Sequence, residues 1–480
     1  MPKNSQYSIK VVFFLAVLAS AFFLPETGHA ANRSLWQKRQ KNIQDSTNTQ
    51  KPIKHTFQRS INPLKIKIPK EYGTIIESHV GSNGKLIIHI QDAHANYEGQ
   101  MNLANILESL INDYELNLIL VEGGSTDADF TYLRNRATLE ERKEKAGKLL
   151  KEGILGGEDY LNIASDYPMS FQGIEDRAVY DANVDALWEI DKFKDIAAEY
   201  IAKLITVSDI LKKRIYNKEL LAIDKAKKAY EAEDEDLLTY YKRLDNTAEA
   251  NGVSLDRFTN FKNILKANEL EKRIDLEKIK QGNIPKGEIN LYKEYVEASK
   301  NVDVNGLFKE EPLLEDTLKE ALATDSDQKT LIEVSKALSI MKNLLNVKVV
   351  PEEYNYFVKN KKDFDPEFWV NFLREKSNQF NLSLKIPNNY HIIEDNLQKI
   401  EYFYEIADER NRVFLRKTEE RINKDNVNLA ALIAGGFHTP RLTQLITEAG
   451  YSYIVISPKI TQETDETFYR STLRRKWLPE

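Results

Sequence analysis

The sequence predicts an α/β protein: a mostly parallel sheet with flanking helices, interrupted by a large all-helical insertion. Short β-rich runs alternate with amphipathic stretches over residues 71–185. Strands separated by helices imply parallel pairing through crossovers. The same alternation returns over residues 426–480, while residues 186–425 are rich in Lys and Glu and carry a helical period.

In the first stretch, Lys85 to Ile90 is a β-rich run. Asn96 is suited to cap a helix whose apolar stripe is Leu103, Leu107, Leu110 and Ile111. Leu116 to Val121 reads as the next strand, ending at Glu122-Gly123-Gly124, and Met169 to Ile174 as a third, ending at Glu175-Asp176. Within the helical block, Ile201, Leu204, Ile205, Leu211 and Ile215 form one stripe. Leu331, Val334, Leu338, Met341 and Leu345 step by three and four, as a bundle face does. The heavy charge of this block is solvated helix surface. The α/β pattern resumes with a strand from Leu429 to Ala434 and a tight turn over Gly435-Gly436-Phe437-His438. Thr439 is expected as a cap and Pro440 as the first helical residue. That helix runs through Leu442, Leu445 and Ile446 to Gly450, and Tyr453 to Ile456 is one more strand. The two α/β halves echo each other, each with a strand, a His-bearing turn, a helix and a further strand.

Residues 1–30 have the three parts of a secretory signal. Lys3 and Lys10 are basic, Val11 to Leu24 is apolar, and Gly28-His29-Ala30 offers a small-residue cleavage site. The apolar run of 14 residues is short of the roughly 20 that span a bilayer. The expectation is an exported protein, periplasmic or secreted, with no membrane span after cleavage. Residues 31–70 read as a polar leader or linker. There are no cysteines, which excludes disulfides and thiolate metal sites, and a net charge of −6 gives no electrostatic case for nucleic acid.

Ligands of open parallel sheets bind beyond the carboxyl ends of the strands. There the sequence places Asp92 and His94 after one strand, Glu122 after the next, Glu175 and Asp176 after the third, and His438 after the late one. Imidazole with carboxylate suits a divalent ion such as Mn²⁺, Co²⁺, Zn²⁺ or Fe²⁺. A helix N-terminus disfavours imidazolium, which keeps His94 and His438 able to ligate. An ion there would lower the pKa of a water to roughly 7, and Glu98 or Glu175 is then a candidate general base. His89, inside an apolar strand, reads as a satisfied core histidine.

These residues also resemble a family. Gly435-Gly436-Phe437-His438, followed by a helix and Gly450-Tyr451, is similar to the second Gly-x-x-His motif of the Tiki/TraB proteins. Their wider group includes erythromycin-esterase-like and ChaN-like proteins. Asp408-Glu409-Arg410-Asn411 resembles the family's Arg-Asn helix, Gly173-Ile174-Glu175 its Gly-apolar-Glu element, and Val121-Glu122 its acidic strand end. Gln91-Asp92-Ala93-His94 occupies the place of the first Gly-x-x-His motif, with Gln91 where that motif has glycine. The resemblance implies a metal-dependent hydrolase acting on a peptide or small molecule, with His94, Glu122 and His438 as ligands. Glu175 and Arg410 would support them, Arg410 by holding a carboxylate or a developing oxyanion. The alternative it implies is a non-catalytic haem- or metal-binding protein of ChaN-like type.

Overall fold

The computed structural model describes residues 62–93, 96–127, 130–232, 234–275, 287–302 and 304–461. It contains a six-stranded sheet in the order β1-β6-β2-β5-β3-β4. The strands are β1 (Gly73–His79), β2 (Leu86–Asp92), β3 (Leu118–Val121), β4 (Ser170–Gly173), β5 (Leu429–Gly435) and β6 (Ser452–Pro458). All neighbours pair in parallel except β1, which runs antiparallel to β6. This is the mostly parallel α/β sheet that the alternating pattern predicts, and strands from both ends of the chain share it.

The chain forms two compact units. One combines the described residues up to Leu187 with those from Tyr402 onward, and the other is Trp188–Glu401. The α/β unit therefore takes in residues 402–425, which composition alone assigns to the helical block. The reason is packing: Phe414, Leu415 and Ile422 of this stretch belong to the core cluster on one sheet face.

Both faces of the sheet are covered, so its central strands are apolar at every step rather than at alternate ones. On one face Leu86, Ile88, Ile90, Ala431 and Ile433 meet Leu103, Ile106, Leu107 and Leu110 of helix α1 (Tyr97–Tyr114). Asn96 caps α1 by accepting a hydrogen bond from the Gly99 N–H. On the other face Ile87, Ala430, Leu432 and Ala434 meet two helices. These are α2 (Leu397–Lys424) and α3 (Thr439–Glu448), the latter contributing Leu442, Leu445 and Ile446.

This arrangement creates a switch point. Neighbouring strands β2 and β5 are parallel, yet the helix after β2 lies on one face and the helix after β5 on the other. The crevice beyond their carboxyl ends is where such sheets hold ligands. Two sequence expectations need correction here. β1, not foreseen as a strand, closes one edge. The end of the expected linker is part of the fold, because Ile66 is buried in the α1 face and Tyr114 Oη accepts from the Lys67 N–H.

The helical unit, Trp188–Glu401, is built of helices with their own buried residues. The Lys194–Ile215 stripe buries Ile201, Leu204, Leu211 and Ile215. The Ser326–Leu345 stripe buries Leu331, Val334, Leu338, Met341 and Leu345. A 2.8 Å hydrogen bond joins Ser208 to Ser335 between these helices. Among the described residues no helix is long and apolar enough to cross a membrane.

Candidate functional site

The strand ends of the switch point carry the candidate residues, and glycines bring them together. Glu122 follows β3 and Glu175 follows β4. Their loops touch backbone to backbone: a Cβ on Gly173 would stand 2.0 Å from the Gly124 carbonyl carbon. With no side chain in the way, Glu175 N–H donates to Gly124 O at 2.8 Å and Gly123 N–H reaches Glu175 Oε1 at 3.3 Å. Gly123 itself adopts φ +88, a left-handed conformation that glycine enters freely.

Arg410 of α2 lies between the two carboxylates. One of its terminal nitrogens donates to both Glu122 Oε1 at 2.9 Å and Glu175 Oε1 at 2.5 Å. The other donates to Asn183 Oδ1 at 2.8 Å. The guanidinium carbon is also 5.1 Å from the Tyr180 ring centre and 5.3 Å from that of Phe414. Arg410 is 6 % exposed and Glu175 3 %. Burial opposes the charge on Arg410, but Glu122 and Glu175 outweigh it and hold the guanidinium firmly protonated. Burial pushes the Glu175 carboxyl up, the pull of Arg410 only partly offsetting it and Glu122 adding to the rise. One guanidinium thus serves two carboxylates, Glu175 buried and Glu122 partly buried. Lys417, half-buried, spends its Nζ on the backbone carbonyl of Glu175.

His438 closes the group. It ends the turn after β5 and is 3 % exposed. Its Nδ1 is 2.8 Å from Asn411 Oδ1. Asn411 Nδ2 donates to the Ala407 carbonyl at 3.0 Å, so Oδ1 is the acceptor that faces the ring. In the neutral imidazole the proton therefore sits on Nδ1, and Nε2 presents a lone pair. That lone pair faces Glu122 Oε1 at 3.4 Å, beyond the roughly 2.7–3.2 Å of a good N–H···O bond. The other oxygen, Oε2, accepts from the Gly435 N–H at 2.7 Å. A histidine nitrogen and a carboxylate oxygen, each held from behind, thus point at one another.

Behind them lies a second chain of bonds. Gln91 donates to Thr439 Oγ1 at 3.1 Å, and that hydroxyl is 2.8 Å from His89 Nε2. His89 Nδ1 faces the Leu432 carbonyl at 3.1 Å, so Nδ1 carries the proton and Nε2 accepts from Thr439. Thr439 is therefore not the cap that the sequence suggests but the first residue of α3, its hydroxyl turned across β5 to β2. His89 is wholly buried, and burial pushes its pKa down from 6.5 to about 4. The unfolded chain takes up a proton in this window that the folded protein refuses. The stabilising contribution is present above 6.5 and lost as pH falls toward 4, on the order of 3 kcal/mol. A His89→Gln variant should show a correspondingly shallower loss in urea midpoint from pH 7 to 4.5. Parallel acid limbs in the two proteins would contradict this reading.

The other candidates fall as follows. Asp92 Oδ1 accepts from Gln100, and Asp176 Oδ1 caps the next helix through the Ala178 and Val179 N–H groups. Glu98 Oε2 accepts from both the N–H and the hydroxyl of Thr461, fastening the chain after β6. Both Glu175 oxygens accept from Arg410, so Glu175 is a counterion and not an open base. His94 lies outside the described residues. Asn183 and Asn411 are the supporting residues that sequence reasoning did not single out by role.

Among the described residues one trio of metal-type donors lies mutually within 4.8 Å: His391, Glu394 and Asp395, all exposed. The His438 group supplies two such donors, with Glu175 committed to Arg410. Glu122 Oε1 also accepts from Arg410, and what suits a divalent ion is the spacing of the two donors. Two ligands each about 2.1 Å from a tetrahedral ion stand about 3.4 Å apart, the separation of His438 Nε2 and Glu122 Oε1. Set beside family models, curated proteins and solved structures, the chain matches none of them.

Proposed function

We propose that this chain is an exported, metal-dependent hydrolase of Tiki/TraB-like type acting on peptide bonds, its centre built on His438 and Glu122. His94 is the third ligand in this reading. The observation that carries it is the facing pair: an imidazole nitrogen whose proton is fixed on the far side by Asn411, set 3.4 Å from a carboxylate oxygen. Two donor atoms held that way are spaced to share one divalent cation, with Arg410 steadying the carboxylate from its other side.

A divalent ion would supply Lewis acidity and an activated water. The residues of the chain do the rest. Asn411 fixes the His438 tautomer and ring plane, the role that outer partners of metal-binding histidines take. Arg410 holds Glu122 and Glu175 in place together, and Asn183 holds Arg410. Gly435 N–H fixes the second Glu122 oxygen. The switch-point crevice excludes bulk water from this set, since each member is buried or nearly so.

The test is hydrolysis of a mixture of unstructured peptides by protein supplied with Mn²⁺, Co²⁺ or Zn²⁺. Cleavage that needs the ion and disappears in His438→Ala supports the reading. Cleavage that survives in His438→Ala, or proceeds at full rate in excess chelator, refutes it.

A further inference from the structure

The turn that carries His438 also carries an exposed phenylalanine. Phe437 lies between Gly436 and His438, and it is 40 % exposed while His438 beside it is 3 %. A single exposed apolar side chain is ordinary on a protein surface. What sets this one apart is its support and its position. Its ring centre is 6.2 Å from that of Phe403 and 6.3 Å from that of Tyr404, both buried residues of α2. Those two rings pack edge to face at 5.0 Å. Phe437 also meets the His438 ring edge to face at 5.2 Å. One side of Phe437 therefore rests on a rigid aromatic base and on the functional histidine, and the other is open.

The turn gives this ring little freedom. Gly436–His438 is a single 3-10 turn leading straight into α3, and the strand before it is buried from Leu429 to Ala434. Around it Ala434 and His438 are buried while Phe437 is held outward at 40 % exposure. An apolar ring propped outward within one residue of the reacting centre offers a surface for an apolar group on whatever reacts there.

We propose that Phe437, supported by Phe403 and Tyr404, is the specificity subsite of the His438 centre, and that the substrate is a polypeptide presenting a large apolar side chain beside the cleaved bond. The inference rests on the hydrolase reading above. Aromatic side chains suit this surface best, because edge-to-face and offset contacts with a fixed ring add to the area they bury.

The experiment compares two peptides that differ only in Phe or Ala next to a mapped cleavage site, using the full chain supplied with the activating ion. The ratio of kcat/KM for the Phe peptide over the Ala peptide should be about tenfold or more. Phe437→Ser should bring that ratio close to one with metal content unchanged, and Phe437→Leu should restore most of it. A ratio near one in the wild type, or a Phe437→Ser variant that slows both peptides equally, overturns the subsite. If no peptide is cut with any ion, the hydrolase reading fails, and the subsite is judged by binding alone. N-acetyl-phenylalaninamide should then bind about tenfold more tightly than N-acetyl-alaninamide, a preference lost in Phe437→Ser. Equal binding of the two amides overturns it.

Discussion

Replacing Arg410 by methionine should remove about 3–5 kcal/mol of stability at neutral pH, because it leaves buried Glu175 and partly buried Glu122 without the guanidinium they share. Glu122 and Glu175 both accept from the same guanidinium nitrogen, and Asn183 accepts from the other. Methionine fills a similar volume against Tyr180 and Phe414, so a lost cavity contributes little. The deficit has a pH signature. Without Arg410 the folded-state pKa of Glu175, already raised by burial, rises further above the unfolded value of roughly 4.3. Such a raised carboxyl destabilises the fold at pH values above the unfolded pKa and ceases to do so once both states are protonated. The gap between variant and wild type should therefore shrink as pH falls from 7 toward 4.5. A second change, Glu175→Gln in the Arg410→Met background, should recover part of the loss. Urea unfolding across that range checks all three statements. A gap that is constant with pH would mean that Arg410 acts through packing.

The second large effect lies at Gly173. Alanine there would place Cβ 2.0 Å from the Gly124 carbonyl carbon and 2.1 Å from its oxygen. Both obstacles are backbone, so no side chain can rotate away, and the two loops must separate. The expected loss is on the order of 3 kcal/mol, the upper end for overpacking. It should also weaken the site, since the same approach sets the Glu175 carboxylate beside Gly123 N–H and Arg410. Gly123→Ala is the comparison. A Cβ at Gly123 meets nothing within 4 Å, so only the left-handed backbone at φ +88 is strained, at about 1 kcal/mol. Thermal or urea unfolding should rank Gly173→Ala well below Gly123→Ala. The reverse order would show that the loops are free to part.

The order of these effects follows from what each residue touches, and the same consideration explains what the sequence makes legible. The central strands are readable because burial on both faces turns them into continuous apolar runs, as in Leu429 to Ala434. β1 is not, since as an edge strand it alternates exposed with half-buried residues after a buried Gly73 and mixes Thr, Glu, Ser and His with Ile. The α1 cap is local, Asn96 to Gly99, and can be read from spacing. The Gln91–Thr439–His89 chain is not local, because it depends on β2 lying beside β5. Asn411 left a trace. Phe403, Ala407, Arg410, Asn411, Phe414 and Thr418 are all buried on α2, and an adjacent Arg-Asn pair within such a stripe marks a helix that brings polar groups into the interior. Asn183 leaves no comparable signal, for its helix is amphipathic in the ordinary way and its partner comes from α2. Thr439 shows the limit of short-range rules. A Thr before Pro at a helix start reads as a cap, yet a buried imidazole from a neighbouring strand competes for its hydroxyl.

The most direct measurement of the central claim is metal content. Protein purified without chelator and equilibrated with Mn²⁺, Co²⁺ or Zn²⁺ should retain about one ion per chain after desalting. His438→Ala should retain none at that centre, with thermal unfolding as the control for folding because a buried ring and its bond to Asn411 are lost. Asn411→Leu should keep His438 but weaken affinity by roughly 10–100-fold, because the ring loses the partner that fixes its tautomer. The contradicting result is equally plain: a wild-type protein that holds no ion, or one whose metal content is the same with His438 and without it.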